Sequence, residues 1–156
     1  MQGTSCLSLA LALALACAVV PGCLGSDKTF PDESAQVRSL HVNAYALVGA
    51  PPPRPAIVEV SGLGPDGQER AFHGHVHVLL EKALHPETDV RYERVKEYDA
   101  DLSAHDFSSA TVPYWKLTLP ASDLPDEASY RATATAAIDG HAAPFSANAL
   151  FAYTRT

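Results

Sequence analysis

Between residues 130 and 138 the side chains take sides at every second position: Tyr130, Ala132, Ala134, Ala136 and Ile138 alternate with Arg131, Thr133 and Thr135. A period of two marks extended chain with one face in a core and the other in water. The pattern recurs. Leu40, Val42, Ala44, Ala46 and Val48 alternate with Ser39, His41, Asn43 and Tyr45; Trp115, Leu117 and Leu119 alternate with Tyr114, Lys116 and Thr118; Phe145, Ala147, Ala149, Phe151 and Tyr153 form a fourth set. Strands with one apolar face must bury it against another layer, so the chain is expected to be all-β, with two stacked sheets.

Turn residues divide these runs. Pro51, Pro52, Pro53 and Pro55 forbid ladder pairing, because proline lacks the N–H donor, and the proline run is expected to carry the chain from one sheet to the other. A second strand is expected over 57–63, a tight turn at Gly64-Pro65-Asp66-Gly67, and a returning partner over 69–80. Phe72, Val76, Leu79, Leu80 and Ala83 also fit a helical stripe, but Gly74 and the β-branched Val76 and Val78 favour a strand. The charged stretch 86–102 suggests one edge strand over 97–102. Asp139-Gly140 is read as a hairpin turn, with pairing resuming after Pro144.

The spacing from Leu124-Pro125 to Tyr130, ahead of an alternating strand, resembles the tyrosine corner of immunoglobulin-like and fibronectin type III-like domains. That resemblance implies an antiparallel β-sandwich over 37–156. Trp115 lies on a late strand and the paired cysteines of antibody domains are missing, which sets this chain apart from that branch. The fold alone names no activity, because sandwiches host many unrelated roles.

Residues 7–20 are apolar apart from Ser8 and are followed by Pro21-Gly22-Cys23, with no charge before Asp27. The run has the length of a signal-peptide core and is too short to span a bilayer. Val19-Val20-Pro21-Gly22-Cys23 resembles the lipobox of prokaryotic lipoproteins, with Cys17 as a rival site. The resemblance implies a signal peptide over 1–22, a lipid on Cys23 and a flexible tether over 23–36. It departs from that pattern at Pro21 and in lacking Lys or Arg before Cys6. Cutting before Cys23 leaves a single thiol, which lipidation would use up, and no disulfide. The expected location is the outer side of the cytoplasmic membrane or the cell surface. Simple secretion after cleavage at Ala16, Ala18 or Gly22 is the alternative.

The chain carries a formal charge of −7, and its 11 Lys and Arg are interleaved with carboxylates, as in Arg91-Tyr92-Glu93-Arg94-Val95-Lys96-Glu97. No basic stripe exists to release counterions from phosphates, so nucleic acid is not the expected partner. Membrane contact is expected through the lipid and not through the protein face. A protein or ligand partner cannot be named from composition.

One chemical constellation stands out, His73-Gly74-His75-Val76-His77. On a strand, residues i and i+2 lie roughly 7 Å apart on one face, close enough for two imidazoles to share zinc or copper. His73 and His77 would be roughly 13 Å apart, so a full site needs a ligand from a neighbouring strand. His41, His105, Asp106, His141 and Glu59 are the candidates. The competing reading is a solvated polar face. Three imidazoles on one face could also act as a pH sensor.

Other motifs fail on their parts. Gly62-Leu63-Gly64-Pro65-Asp66-Gly67 satisfies G-x-G-x-x-G without a following helix, and the Asp99-Ala100-Asp101 run has Ala104 and Ala110 where a calcium loop needs Gly and Glu. No G-x-S-x-G elbow occurs, although Ser61, Ser103, Ser108 or Ser109 could meet a histidine in space. Tyr114 and Trp115 could form an aromatic platform, but Leu117 and Leu119 beside them favour a core role. The expectation is therefore a non-catalytic binding or structural module without a cofactor, with zinc or copper binding at His73, His75 and His77 as the alternative.

Overall fold

A computed structural model describes residues 29–84, 91–109, 111–125 and 127–155, so the apolar leader and Cys23 lie outside the described residues. Among the described residues, eight strands form two antiparallel four-stranded sheets. In the first, β1 (Ser39–Ala46) pairs with β2 (Ala56–Leu63), whose other edge is shared by β3 (Glu69–Arg70) and β6 (Trp115–Leu119). In the second, the order is β5 (Arg91–Leu102), β4 (Gly74–Leu84), β7 (Ala128–Ile138), β8 (Phe145–Tyr153). Two packed antiparallel sheets are what the alternation predicts, and they are consistent with the immunoglobulin-like β-sandwich that the resemblance implies.

The core is what the period of two dictates. Val76, Val78 and Leu80 of β4 and Tyr130, Ala132, Ala134 and Ala136 of β7 are fully buried, facing Val58, Val60 and Leu119 of the first sheet. Each buried Val or Leu contributes about 1.5–3 kcal/mol of hydrophobic transfer. Aromatic contacts close the two ends. Phe72 meets the ring of Phe107 edge-on at 4.9 Å, and Tyr130 stacks on Phe151 at 5.6 Å. Trp115 and Leu117 are half-buried against this core, as expected for the inner face of β6. Tyr130 occupies the core position that a tyrosine corner requires; the upstream backbone that its hydroxyl would reach includes 126, outside the described residues.

Several expectations need correction. The proline-rich 50–55 segment joins neighbours within one sheet instead of crossing between sheets. The amide of Leu47 donates to the carbonyl of Pro55 and closes the loop. The buried Tyr153 hydroxyl donates to the Arg54 carbonyl at 2.8 Å and pins that loop to β8. The segment expected as one returning strand over 69–80 divides. β3 makes only two ladder pairs before the chain crosses to the second sheet at Ala71, Phe72 and His73, and β4 then runs on to Leu84.

Strand β5 begins at Arg91, six residues before the expected start. Its pattern is hard to read because Lys96 and Tyr98 share the register of the inward Leu80 and Val78, and both reach Asp123: Lys96 Nζ at 2.8 Å and the Tyr98 hydroxyl at 2.6 Å. Lys96 itself is exposed, and a register shift between Leu80 and Glu81 leaves Val95 without a ladder partner, so the period of two is broken in the first half of the strand. The β7–β8 loop is also longer than a two-residue turn, since the ladder stops at the Ala136–Phe145 pair. Val48, expected to extend the apolar face of β1, is 88% exposed beyond its end.

Gly74 opens β4 with φ +155, and a Cβ there would meet the Ala137 carbonyl oxygen at 2.2 Å. Only glycine fits this approach of two backbones. Gly74→Ala should therefore cost about 2 kcal/mol or more in urea unfolding, from strain and displaced backbone together. A loss within 0.5 kcal/mol, the range of a neutral surface change, would show that the β4 start can relax.

Candidate functional site

The three histidines do not act as one set. His75 and His77 point outward from β4, but His73 lies in the bend before it, its amide donating to the Ser34 hydroxyl oxygen at 2.8 Å and its Nδ1 4.0 Å from Asp32. The neighbours of His75 and His77 come from edge strand β5, whose register sets His75 opposite Asp101 and His77 opposite Asp99. His75 Nδ1 is 2.8 Å from Asp101 Oδ1 and its Nε2 is 3.1 Å from Asp99 Oδ1. The same Asp99 oxygen lies 3.0 Å from His77 Nδ1. Glu97 continues the row, 3.9 Å from His77 Nε2 and bonded to Arg94 at 2.9 Å.

A neutral imidazole has one N–H, so His75 can donate to both carboxylates only as the imidazolium. Asp101 first and Asp99 second hold the His75 ring above its ordinary value of 6.5, against a small loss of hydration. His77 and His75 in turn hold Asp99 below the usual carboxylate value of 3.8. The pairs are open to water, with the Asp101 side chain 94% exposed, so salt screens them strongly.

Among the described residues, no group of three or more His, Cys, Asp and Glu side chains is placed to hold a metal ion. The candidate completing ligands are dispersed. Asp106 accepts from the backbone and hydroxyl of Ser103 as the cap of a short 3₁₀ turn. His105 lies in the same turn, and His141 bonds the Ser34 carbonyl at 2.8 Å against the Phe145 ring. His41 and Glu59 belong to the other sheet.

Those last two belong to a second cluster on the outer face of the first sheet. Register places His41 opposite Ser61 and Asn43 opposite Glu59, with the chain of Tyr114 beyond them, and together with Glu69 they line a recess of about 140 Å³. Glu59 lines it as well, accepting from the Tyr45 hydroxyl at 2.7 Å and from Asn43 Nδ2 at 3.3 Å. The bond to Glu59, with burial second, pushes the Tyr45 hydroxyl up to about 12, so it remains a donor throughout the physiological range. His41 Nδ1 stands 3.4 Å from Glu69 Oε1. No histidine ring bonds a serine hydroxyl among the described residues, which leaves a serine–histidine relay without support.

Sequence reasoning singled out the histidines and missed their partners. Asp99 and Asp101 were visible only as a failed calcium loop, although Glu97, Asp99 and Asp101 share the two-residue period that signals one strand face. Gly62 and Leu63 end β2 and Gly64 to Gly67 form a β-turn before β3, with Gly67 at φ +74, in line with rejecting the dinucleotide fingerprint. No family model matches the chain, and no curated protein matches it.

The raised His75 value means that its contribution to folding is complete below 6.5 and fades as pH rises through the folded value. The lowered Asp99 value means that its contribution is present above 3.8 and is lost as pH falls through its own depressed value. The ladder is therefore strongest between the two. An NMR titration should place the His75 midpoint above 6.5, and both Asp101→Asn and about 1 M salt should bring it down. A midpoint at or below 6.5 would show that the ladder does not form in solution.

Proposed function

We propose that this chain is an exported β-sandwich, anchored to the outer side of the cytoplasmic membrane or the cell surface through a lipid on Cys23, that serves as a non-catalytic binding module. The anchor is supported by the sequence: an apolar leader too short to span a bilayer, a cysteine next to Gly22, and a polar stretch able to act as a tether. Binding is supported above all by one observation, the recess on the first sheet, where polar side chains from β1 and β2 converge with Glu69 and Tyr114 around a carboxylate. Convergent polar groups in a concavity are the usual mark of a ligand site.

Fractionation tests the anchor. The full-length protein should sediment with membranes and gain the mass of attached acyl chains at residue 23, and Cys23→Ser should release it to the soluble fraction. An unmodified N-terminus at Asp27 or beyond would remove the lipid and favour simple secretion. Turnover tests the second half of the reading: sustained hydrolysis of ester substrates, abolished by Ser61→Ala, would replace the binding module with an enzyme.

Zinc or copper binding at His75 and His77 is the competing role, carried by the closeness of both rings to Asp99. A metal there must displace the hydrogen bonds that both rings already make to carboxylates. Protein purified without chelator is expected to hold metal well below one equivalent. Stoichiometric zinc or copper, lost in His75→Ala, would establish the metal site instead.

A further inference from the structure

Ser61 is a polar residue in an unusual position. It lies at the centre of β2, only 2% exposed, and among the described residues no hydrogen-bond partner meets its hydroxyl. It faces outward, into the recess between His41 on one side and Tyr114 on the other. Its hydroxyl keeps a narrow opening to the recess that it lines, so a bound polar group could reach it there and supply the partner that the protein does not.

The second unbalanced group is Glu59, one ladder step along. Its two oxygens accept from neutral donors, Tyr45 and Asn43, and no Lys, Arg or His forms an ion pair with it among the described residues. Lys116 is its register partner across the β2–β6 pair, yet the Lys116 amine is turned over the Tyr114 ring, 5.5 Å from its centre. Glu69 adds a second carboxylate at the end of the recess, next to His41. Tyr114 and Val112 supply the apolar wall. The recess therefore presents negative charge, a hydroxyl acceptor and an aromatic face in about 140 Å³, a space that suits a slender ligand.

We propose that this recess binds a linear alkylammonium group, with the ammonium held by Glu59 and the Ser61 hydroxyl and its carbon chain lying along Tyr114 and Val112. The proposal rests on the binding-module reading and gives it a ligand class. An ammonium offers three donors and no acceptor, which matches a site whose free capacity is two carboxylates and a hydroxyl oxygen. The Tyr114 ring, which already carries the Lys116 amine, offers the ligand's methylenes an apolar surface. The group could be the end of a free diamine or the side chain of a lysine on a partner protein.

Isothermal titration of the full-length protein in detergent micelles, at neutral pH and low salt, distinguishes these sources with three probes. 1,5-Diaminopentane should bind saturably, and 1,5-pentanediol, of the same shape without the charge, should bind at least about tenfold more weakly. If Nα-acetyl-lysine methylamide matches the diamine, the source is a lysine side chain; if only the diamine binds, it is a free amine. Glu59→Gln, which keeps a side chain able to bond Tyr45 and Asn43, should weaken the diamine about tenfold or more while the thermal unfolding midpoint stays close to that of the unaltered protein. Ser61→Ala should weaken it several-fold, and about 0.5 M salt should weaken it in the unaltered protein. The proposal is overturned if neither amine binds, if the diol equals the diamine, or if Glu59→Gln folds and binds unchanged. Such a failure would leave the anchored module standing, because fractionation and turnover decide that reading separately.

Discussion

Val76, Val78 and Leu80 on β4 lie directly across from Ala136, Ala134 and Ala132 on β7, a larger side chain beside a methyl group at each level. Alternation of large and small fills the space between two sheets without voids, and it works in only one register. A slip of β4 by one residue would bring His75 and His77 inward and turn its valines out to water. Gly74 reinforces the same register at the end of the ladder, because only there can the chain pass so close to the Ala137 carbonyl. The fold thus depends on the β4–β7 pairing, and both outer clusters are consequences of it or of the sheet packed against it.

Once the valines face inward, the alternate positions have no choice but to face out, and β5 brings its acidic residues alongside them. The His75–Asp99–His77 row therefore arises from the same geometry that builds the core. Its energetic value is small because water reaches every member. It does place charge along an edge strand, and charged edges discourage pairing with another chain. On the opposite sheet the outward positions of β1 and β2 differ, since Tyr114 and Val112 shelter them on one side. Shelter lowers the local dielectric, so Glu59 and Ser61 interact with a neighbour more strongly than the same groups in the open row could.

The parts of the chain that followed the period of two were legible before any coordinates, as in β1, β7 and β8, where each buried position carries an apolar residue. Elements went astray where a polar residue occupies an inward register. In the first half of β5, Lys96 takes the register of the inward Leu80 with its amine on Asp123, and the shift between Leu80 and Glu81 breaks the alternation before it. The split between β3 and β4 was equally hidden. Phe72, Val76, Val78 and Leu80 alternate with His73, His75 and His77, so the residues around the crossover read as one continuous strand although the chain changes sheets there. Of the candidate site, the histidines were visible as a type and a spacing. Asp99 and Asp101 as their partners, and the recess that joins His41 and Glu59 to Ser61, were not.

Local information was enough to decide that the alternating segments are extended, that their apolar side chains gather on one face of each strand, and that residues 7–20 form an apolar run unlike the alternating sequence after it. Those properties depend on neighbours two residues apart or on an unbroken run, which a linear reading captures. Pairing decided the rest. Which strand lies beside which is set by side-chain volumes and backbone approaches between residues tens of positions apart, such as Gly74 against Ala137 or Tyr153 against Arg54. For that reason the tertiary structure, and not the order of residues, determined that His75 meets aspartates and that Glu59 and Ser61 share a sheltered recess.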